Sequence, residues 1–375
     1  VTRNNPPFRA DQVGSLLRPD AVKEARAKCA AGQLSAAALA EIEDRAVDRL
    51  VARQEAVGLR SVTDGELRRA IWHTDFLQGL SGVTIATVEA DAFQGQAIQQ
   101  KRVIKTTRVT GKLDFVGHPM LEHFRYLKGH TGATAKFTIP APTMLASASK
   151  DWREVVDRSV YPTLESMFVD LGFAYRKAVK AFGDAGCRYL QLDDCSMAFL
   201  CDPKLRKQMQ DRGDDPDAML NSYVGLINSA LADKPADMVV STHICRGNFR
   251  STWLAQGGYE PVAEALFNRI NYNAYFLEYD NDRSGGFEPL RFVPKNSHKL
   301  VVLGLVTTKT GQLESRDDIK RRIDEAAAYV ELERLCLSPQ CGFASTEQGN
   351  ALTEDEQWAK LGFVVGVANE VWGSA

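Results

Sequence analysis

The chain has 375 residues, with 44% hydrophobic and 25% charged side chains, in the range of water-soluble globular proteins. Its 46 Lys+Arg nearly balance 48 Asp+Glu, leaving a formal charge of −2, which excludes a polybasic binder of nucleic acid or anionic membrane. Apolar runs such as Val301-Val302-Leu303 fall far short of the ~20 residues a membrane helix needs. Residues 1–7, VTRNNPP, carry no apolar core of the kind a secretory signal requires. Seven cysteines without a CxxC pair argue against a disulfide framework and for a reducing, cytoplasmic setting.

In chain order, β-branched and aromatic clustering predicts strands over 8–14, 59–63, 136–140, 188–193, 238–243, 274–278, 299–306 and 334–339. Several are near-continuous apolar runs, as strands covered on both faces should be. Helical periodicity falls between them, over 21–30, 35–57, 161–186, 216–231, 261–267, 315–330 and 354–371. Ser35 and Ser315 are placed as N-caps, and Thr353 with Glu356 has capping-box spacing.

This alternation predicts an α/β fold, a (β/α)8 TIM barrel in one domain over 1–375, with an N-terminal helical arm. Between the second and third strands an alternating segment, 101–115, predicts a β-hairpin insertion turning at Thr110-Gly111. The length of the 85–130 insertion is compatible with a lid over the donor side. A Gly-x-Gly-x-x-Gly turn after the first strand is missing, which counts against dinucleotide binding.

Barrels of this kind carry their chemistry at the C-terminal strand tips. The fifth strand ends Thr242-His243-Ile244-Cys245, and residues two apart share a side, so His243 and Cys245 converge. The sixth ends at Glu278 and the eighth runs into Gln340-Cys341-Gly342. Singly, His243 reads as a structural residue and Glu278 as an ion-pair partner. Jointly they offer one imidazole, two thiolates and one carboxylate, a donor set for tetrahedral Zn²⁺. Cys29, Cys187, Cys201 and Cys336 read as small apolar fillers. Inward carboxylates at Glu66 and Asp193 suit a substrate ammonium, and the backbone at Ser15 suits a carboxylate: together, a small amino acid. Asp64 and Asp194 read as cap or rim residues, and Trp72-His73 as an aromatic packed beneath its loop.

Val13-Gly14-Ser15, Asp64-Gly65-Glu66, Leu190-Gln191-Leu192-Asp193, His243-Ile244-Cys245, Phe276-Leu277-Glu278 and Ser338-Pro339-Gln340-Cys341-Gly342 resemble, in order and spacing, the catalytic half of cobalamin-independent methionine synthase. The resemblance implies a barrel holding Zn²⁺ through His243, Cys245, Glu278 and Cys341. It implies homocysteine bound by Val13, Gly14, Ser15, Glu66 and Asp193, and alkylation of a zinc-bound thiol. The full-length family enzyme has a second, N-terminal barrel that helps form its folate site; these residues match the catalytic half. Where that family has a proton-donating His, this chain has Lys309. The family's folate-stacking Trp has no counterpart in Ile139-Pro140-Ala141-Pro142-Thr143. The methyl donor is left open between methyltetrahydrofolate, methylcobalamin and another methylated compound, with or without an accessory protein. Alkyl transfer to another thiol, of the epoxyalkane–coenzyme M transferase type, would call for anion-binding Arg18, Arg246 or Lys309. A non-catalytic zinc-stabilised barrel is the reading from outside enzymology.

Overall fold

The computed structural model describes residues 3–90 and 102–375. Seven parallel strands form one curled sheet in the order β1 (Ser61–Val62), β4 (Thr134–Pro140), β5 (Tyr189–Asp194), β6 (Val239–Ile244), β7 (Ala274–Glu278), β8 (Leu300–Val306), β9 (Leu335–Pro339). A separate antiparallel pair, β2 (Ser81–Ala90) and β3 (Arg102–Asp114), is inserted after the first of them. Strands β5, β7, β8 and β9 are buried along their whole length, as expected of a sheet wrapped in helices.

Eight ladder strands were expected, and among the described residues seven form the sheet. Residues 8–14 make one parallel bridge, Ala10 to Leu337, flanked by Asp11 N–H to the Leu337 carbonyl (3.0 Å) and Leu337 N–H to the Arg9 carbonyl (2.8 Å). The reason is local. The Asp11 carboxylate takes the amides of Phe8 (3.3 Å) and Gln12 (2.8 Å), turning them away from a neighbouring strand. The segment still closes the gap between β9 and β1, because Ser61 Oγ donates to Asp11 Oδ1 (2.9 Å) and Thr63 Oγ1 to the Gly14 carbonyl (2.6 Å).

The hairpin insertion exists, but its turn is misplaced in the sequence reading. Thr110-Gly111 lies inside β3, opposite a register shift at Gly82. Gly82 sits at φ +79°, and a Cβ there would lie 2.4 Å from the Gly111 carbonyl oxygen, so these glycines permit close backbone approach rather than reversal. The connection runs through 91–101, and Lys101, the expected start of the hairpin, lies outside the described residues. The pair packs on the helix Leu164–Asp184 and the stretch before it: Asp157 N–H donates to the Val109 carbonyl (2.8 Å) and Leu113 N–H to the Tyr161 hydroxyl (2.8 Å).

The expected helices form close to their expected bounds. Ser35 accepts from Ala38 N–H, Ser315 from Asp318 N–H, and Thr353 with Glu356 completes a capping box. The helices Met120–Gly129 and Pro203–Asp211 were not anticipated. Helix 261–267 is shorter, Glu260–Glu264, and continues as a π-turn over Ala265–Arg269. Among the described residues no helix is long and apolar enough to cross a membrane.

Inside the barrel, Val13, Tyr189, Phe276, Val302 and Cys336 form their own apolar cluster. Lys136 crosses it fully buried, its ammonium 3.9 Å from the Phe276 ring centre and 3.3 Å from Asp11 Oδ1. The Tyr189 hydroxyl donates to the other Asp11 oxygen at 2.9 Å. Asp11→Ala would leave a buried ammonium unpaired and release the closing segment. We expect it to cost about 3–5 kcal/mol, read as a lowered urea midpoint.

Candidate metal centre

Parallel register delivers the site. Asp193 on β5 pairs with His243 on β6, and Cys245 N–H extends that ladder to the Asp194 carbonyl at 2.8 Å. Period-two alternation then turns Asp193, His243 and Cys245 to the barrel mouth. Glu278 ends β7, its amide donating to the Tyr259 hydroxyl (2.9 Å), which donates back to the Glu278 carbonyl (3.2 Å). Beyond β9, Gln340 N–H donates to the Val306 carbonyl (2.8 Å), which sets Cys341 facing Cys245.

The ligand atoms of His243, Cys245, Glu278 and Cys341 all lie within 4.8 Å of one another, and all four residues are buried. The two sulfurs are 3.6 Å apart, and His243 Nε2 is 3.9 Å from Glu278 Oε1. His243 Nδ1 lies 3.6 Å from Asp193 Oδ1, and Nε2 lies 3.0 Å from the Gln340 carbonyl oxygen. An Asp193-facing Nδ1–H leaves Nε2 as the nitrogen turned toward the cluster.

Charge in this cluster is frustrated without a cation. Burial alone would push the imidazole down, but Asp193 and the neighbouring thiol and carboxylate lift it to about 9. Cys245, in contact with Cys195 and Cys341, is held well above the usual thiol range, and Cys341 beside Cys245 likewise. Burial opposes ionisation of Glu278, yet the charges of Lys309, Arg283 and His243 bring it below the ordinary carboxylate value. Two thiols, an imidazole and a carboxylate on one point are the donor set of a thiophilic divalent cation, which would take the place of the protons held there. These four residues could hold a metal ion.

The same point opens on a narrow cavity lined by Val13, Ser15, Glu66, Trp72, Asp193, His243, Cys245, Cys341, Gly342 and Ser345. Glu66 stands at φ +57° directly after Gly65, its amide tied to Asp64 Oδ1 at 2.9 Å, a strained turn that aims the carboxylate inward. Its Oε1 accepts from Thr138 Oγ1 (2.8 Å) and lies 3.5 Å from Arg69 Nη1; Oε2 has no protein partner. Asp193 accepts from Gln191 Nε2 at 2.6 Å, so one carboxylate serves both the cavity and His243. Gly14 lies behind, at φ +152°, where a Cβ would meet Thr138 Cγ2 at 2.6 Å. Ser15 is fixed by the 343–344 backbone, whose amides donate to its carbonyl (2.9 Å) and hydroxyl (3.3 Å).

Val13, Ser15, Glu66, Asp193, His243, Cys245 and Cys341 therefore meet in one pocket, with Glu278 and Gly14 just behind its wall. Lys309 does not line it; only 8% exposed, its charge is felt at Glu278 and Asp280. Asp194 caps the turn after β5 through the Ser196 and Met197 amides, and burial raises it to about 6. Trp72 packs on the core and also borders the cavity. None of the hairpin's described side chains does so. Three residues near the site escaped the sequence reading. Cys195 stands two residues after Asp193, so the alternation that flagged His243 and Cys245 could have found it; Ser345 sits in an irregular loop and Arg283 in a single 3-10 turn, Asp282–Ser284, neither with a periodic signal.

Residues 8–369 match the family described as Cobalamin-independent synthase, Catalytic domain. Bacillus subtilis YxjG, an uncharacterized protein, is 52% identical over 99% of this chain and 97% of its own length. The methionine synthase of Pyrococcus horikoshii is 25% identical, covering 80% of this chain and 75% of that one. A solved structure from Listeria monocytogenes, a candidate vitamin-B12-independent methionine synthase, is 42% identical with a TM-score of 0.79, covering 99% of this chain and 100% of that one.

Gly14→Ala is expected to push Thr138 away and break its hydrogen bond to Glu66, lowering stability by about 1–3 kcal/mol. A crystal structure of the variant with Glu66 unmoved would contradict this account of the glycine.

Proposed function

Because the chain belongs to the cobalamin-independent synthase family and is a methyltransferase with it, we propose that it methylates homocysteine at a zinc ion held by His243, Cys245, Glu278 and Cys341. The observation that carries this reading is that the cavity bounded by Ser15, Glu66 and Asp193 opens on the His/Cys/Cys face of the cluster. A site that only stabilised the fold would be closed.

The two carboxylates lining the cavity, Glu66 and Asp193, suit an amino-acid ammonium held between them. The Val13–Ser15 backbone receives the substrate carboxylate, with Gly14 leaving room for it. Zinc bound at the cluster would lower the pKa of a substrate thiol and so supply a thiolate near neutral pH. Asp193 orients the His243 ring from behind while facing the substrate ammonium. Glu278 would return to the cluster once the thiol has left it. Trp72 and Ser345 form the wall along which the donor's methyl approaches. Lys309, standing where the family has its proton-donating His, is assigned the donor-side acid; methyltetrahydrofolate and methylcobalamin both remain donors to be assayed, with an accessory delivery protein in the second case. The 375 residues act in this reading as one cytoplasmic catalytic domain.

Transfer to an anionic thiol of the coenzyme M kind is disfavoured by the cations it would use. Arg18 is spent on the carbonyls of Ala344, Glu66 (2.9 Å) and Arg69 (3.1 Å), and neither Arg246 nor Lys309 lines the cavity.

Purified protein should carry about one zinc per chain, and Cys341→Ala should lose it together with homocysteine methylation. A wild type that stays metal-free in added zinc would sink the reading. Because the metal-free imidazole titrates at about 9 and both thiols higher, loading at pH 7.5 must expel protons. Calorimetry in two buffers of different ionisation enthalpy should therefore show release of about two or more protons per zinc, and affinity should fall as pH falls.

A further inference from the structure

Glu278 differs from the other three members of the cluster in how it is held. Its Oε2 accepts from Arg283 Nη2 at 2.7 Å, and its Oε1 from the Arg246 amide at 3.0 Å. The same Arg283 nitrogen lies 2.8 Å from Asp280 Oδ1. Arg283 is itself fixed: its side chain is 5% exposed, its guanidinium carbon lies 5.2 Å from the Trp253 ring centre, and its carbonyl accepts from Gly257 N–H at 2.8 Å. Its own amide donates to Asn281 Oδ1 at 3.1 Å. Neither cysteine of the cluster has a cationic side chain within hydrogen-bond reach among the described contacts; the sulfurs meet each other.

We propose that Arg283 is a positioning residue for Glu278: it gives the carboxylate, read above as yielding its place to the thiol, a second resting place off the cluster and so sets how readily the thiol enters. The proposal rests on the reading of this cluster as a thiol-binding metal site. A carboxylate sharing its electrons with a guanidinium is a weaker metal ligand than a free one. Once displaced, it does not become a bare buried charge, because the Arg283 and Arg246 donors already satisfy it. Asp280 holds part of the Arg283 charge, so Glu278 is tethered without being fully neutralised.

The test uses the full chain loaded with Co²⁺, whose thiolate charge-transfer bands report the sulfurs bound, titrated with homocysteine. In the wild type the bands should strengthen as a further sulfur joins. Arg283→Met should raise the homocysteine midpoint about tenfold, the scale of outer-shell effects at metal sites, with Arg283→Lys between the two. A merely structural arginine would instead weaken Co²⁺ binding and leave that midpoint alone. Should the single variant unfold around its stranded acids, Arg283→Met with Asp280→Asn makes the same comparison. A folded variant with the wild-type midpoint overturns the proposal. Wild-type bands that ignore homocysteine overturn the thiol-binding reading beneath it, and the proposal with it.

Discussion

Everything at the barrel mouth depends on parallel strands held in register. Asp193 aligned with His243, Glu278 with Gly304 and Val306 with Pro339 bring the ends of five strands to one level, so residues from positions 193, 243, 278 and 341 meet within a few ångströms. No local sequence segment could supply that convergence; the spacing between the ligand-bearing strands is filled by helices whose work is to keep the sheet curled. The closing segment is as important as the ladder. Asp11 gathers the Phe8 and Gln12 amides, Ser61, Lys136 and Tyr189 onto one carboxylate, and the chain leaving it runs directly into Val13–Ser15 on the cavity wall. Fold closure and substrate site are thus one structure.

The electrostatics divide the cavity into two halves. On one side the Glu66 and Asp193 carboxylates face the cavity, with burial raising Glu66 above the ordinary carboxylate range, while Arg69 and Arg18 are turned to the backbone and to the rear of Glu66. On the other, two thiols and an imidazole crowd a point where mutual contact and burial hold the thiols protonated while Asp193 and its neighbours keep the imidazole charged. Asp193 belongs to both halves, since it faces the cavity and the rear of the His243 ring. That sharing ties the carboxylate side of the cavity to the orientation of the His243 ring.

Much of this was legible in the sequence because the chemistry sits on regular strands. His243 and Cys245 are two apart at the end of β6, so alternation placed them together, and the tips of two further strands supplied Glu278 and Cys341. Glu66 and Asp193 were found as acids at strand tips. What was missed lies where periodicity is silent. The segment 8–14 reads as a strand, yet an aspartate side chain captures its amides. Thr110-Gly111 reads as a turn, yet those residues serve a close strand contact with Gly82. Arg283 follows β7 in a single 3-10 turn too short to leave a periodic signal, and its bond to Glu278 exists only through tertiary packing. Cys195 is the exception, readable by the same alternation.

The central claim is that this cluster binds a metal and offers it to a substrate thiol. Zinc-edge X-ray absorption of the full chain, with and without homocysteine, tests it most directly. The account predicts zinc bound to the two protein sulfurs of Cys245 and Cys341, with a further sulfur joining when homocysteine is added. Zinc absent from the cluster, or a sulfur shell unchanged by saturating homocysteine, would contradict it.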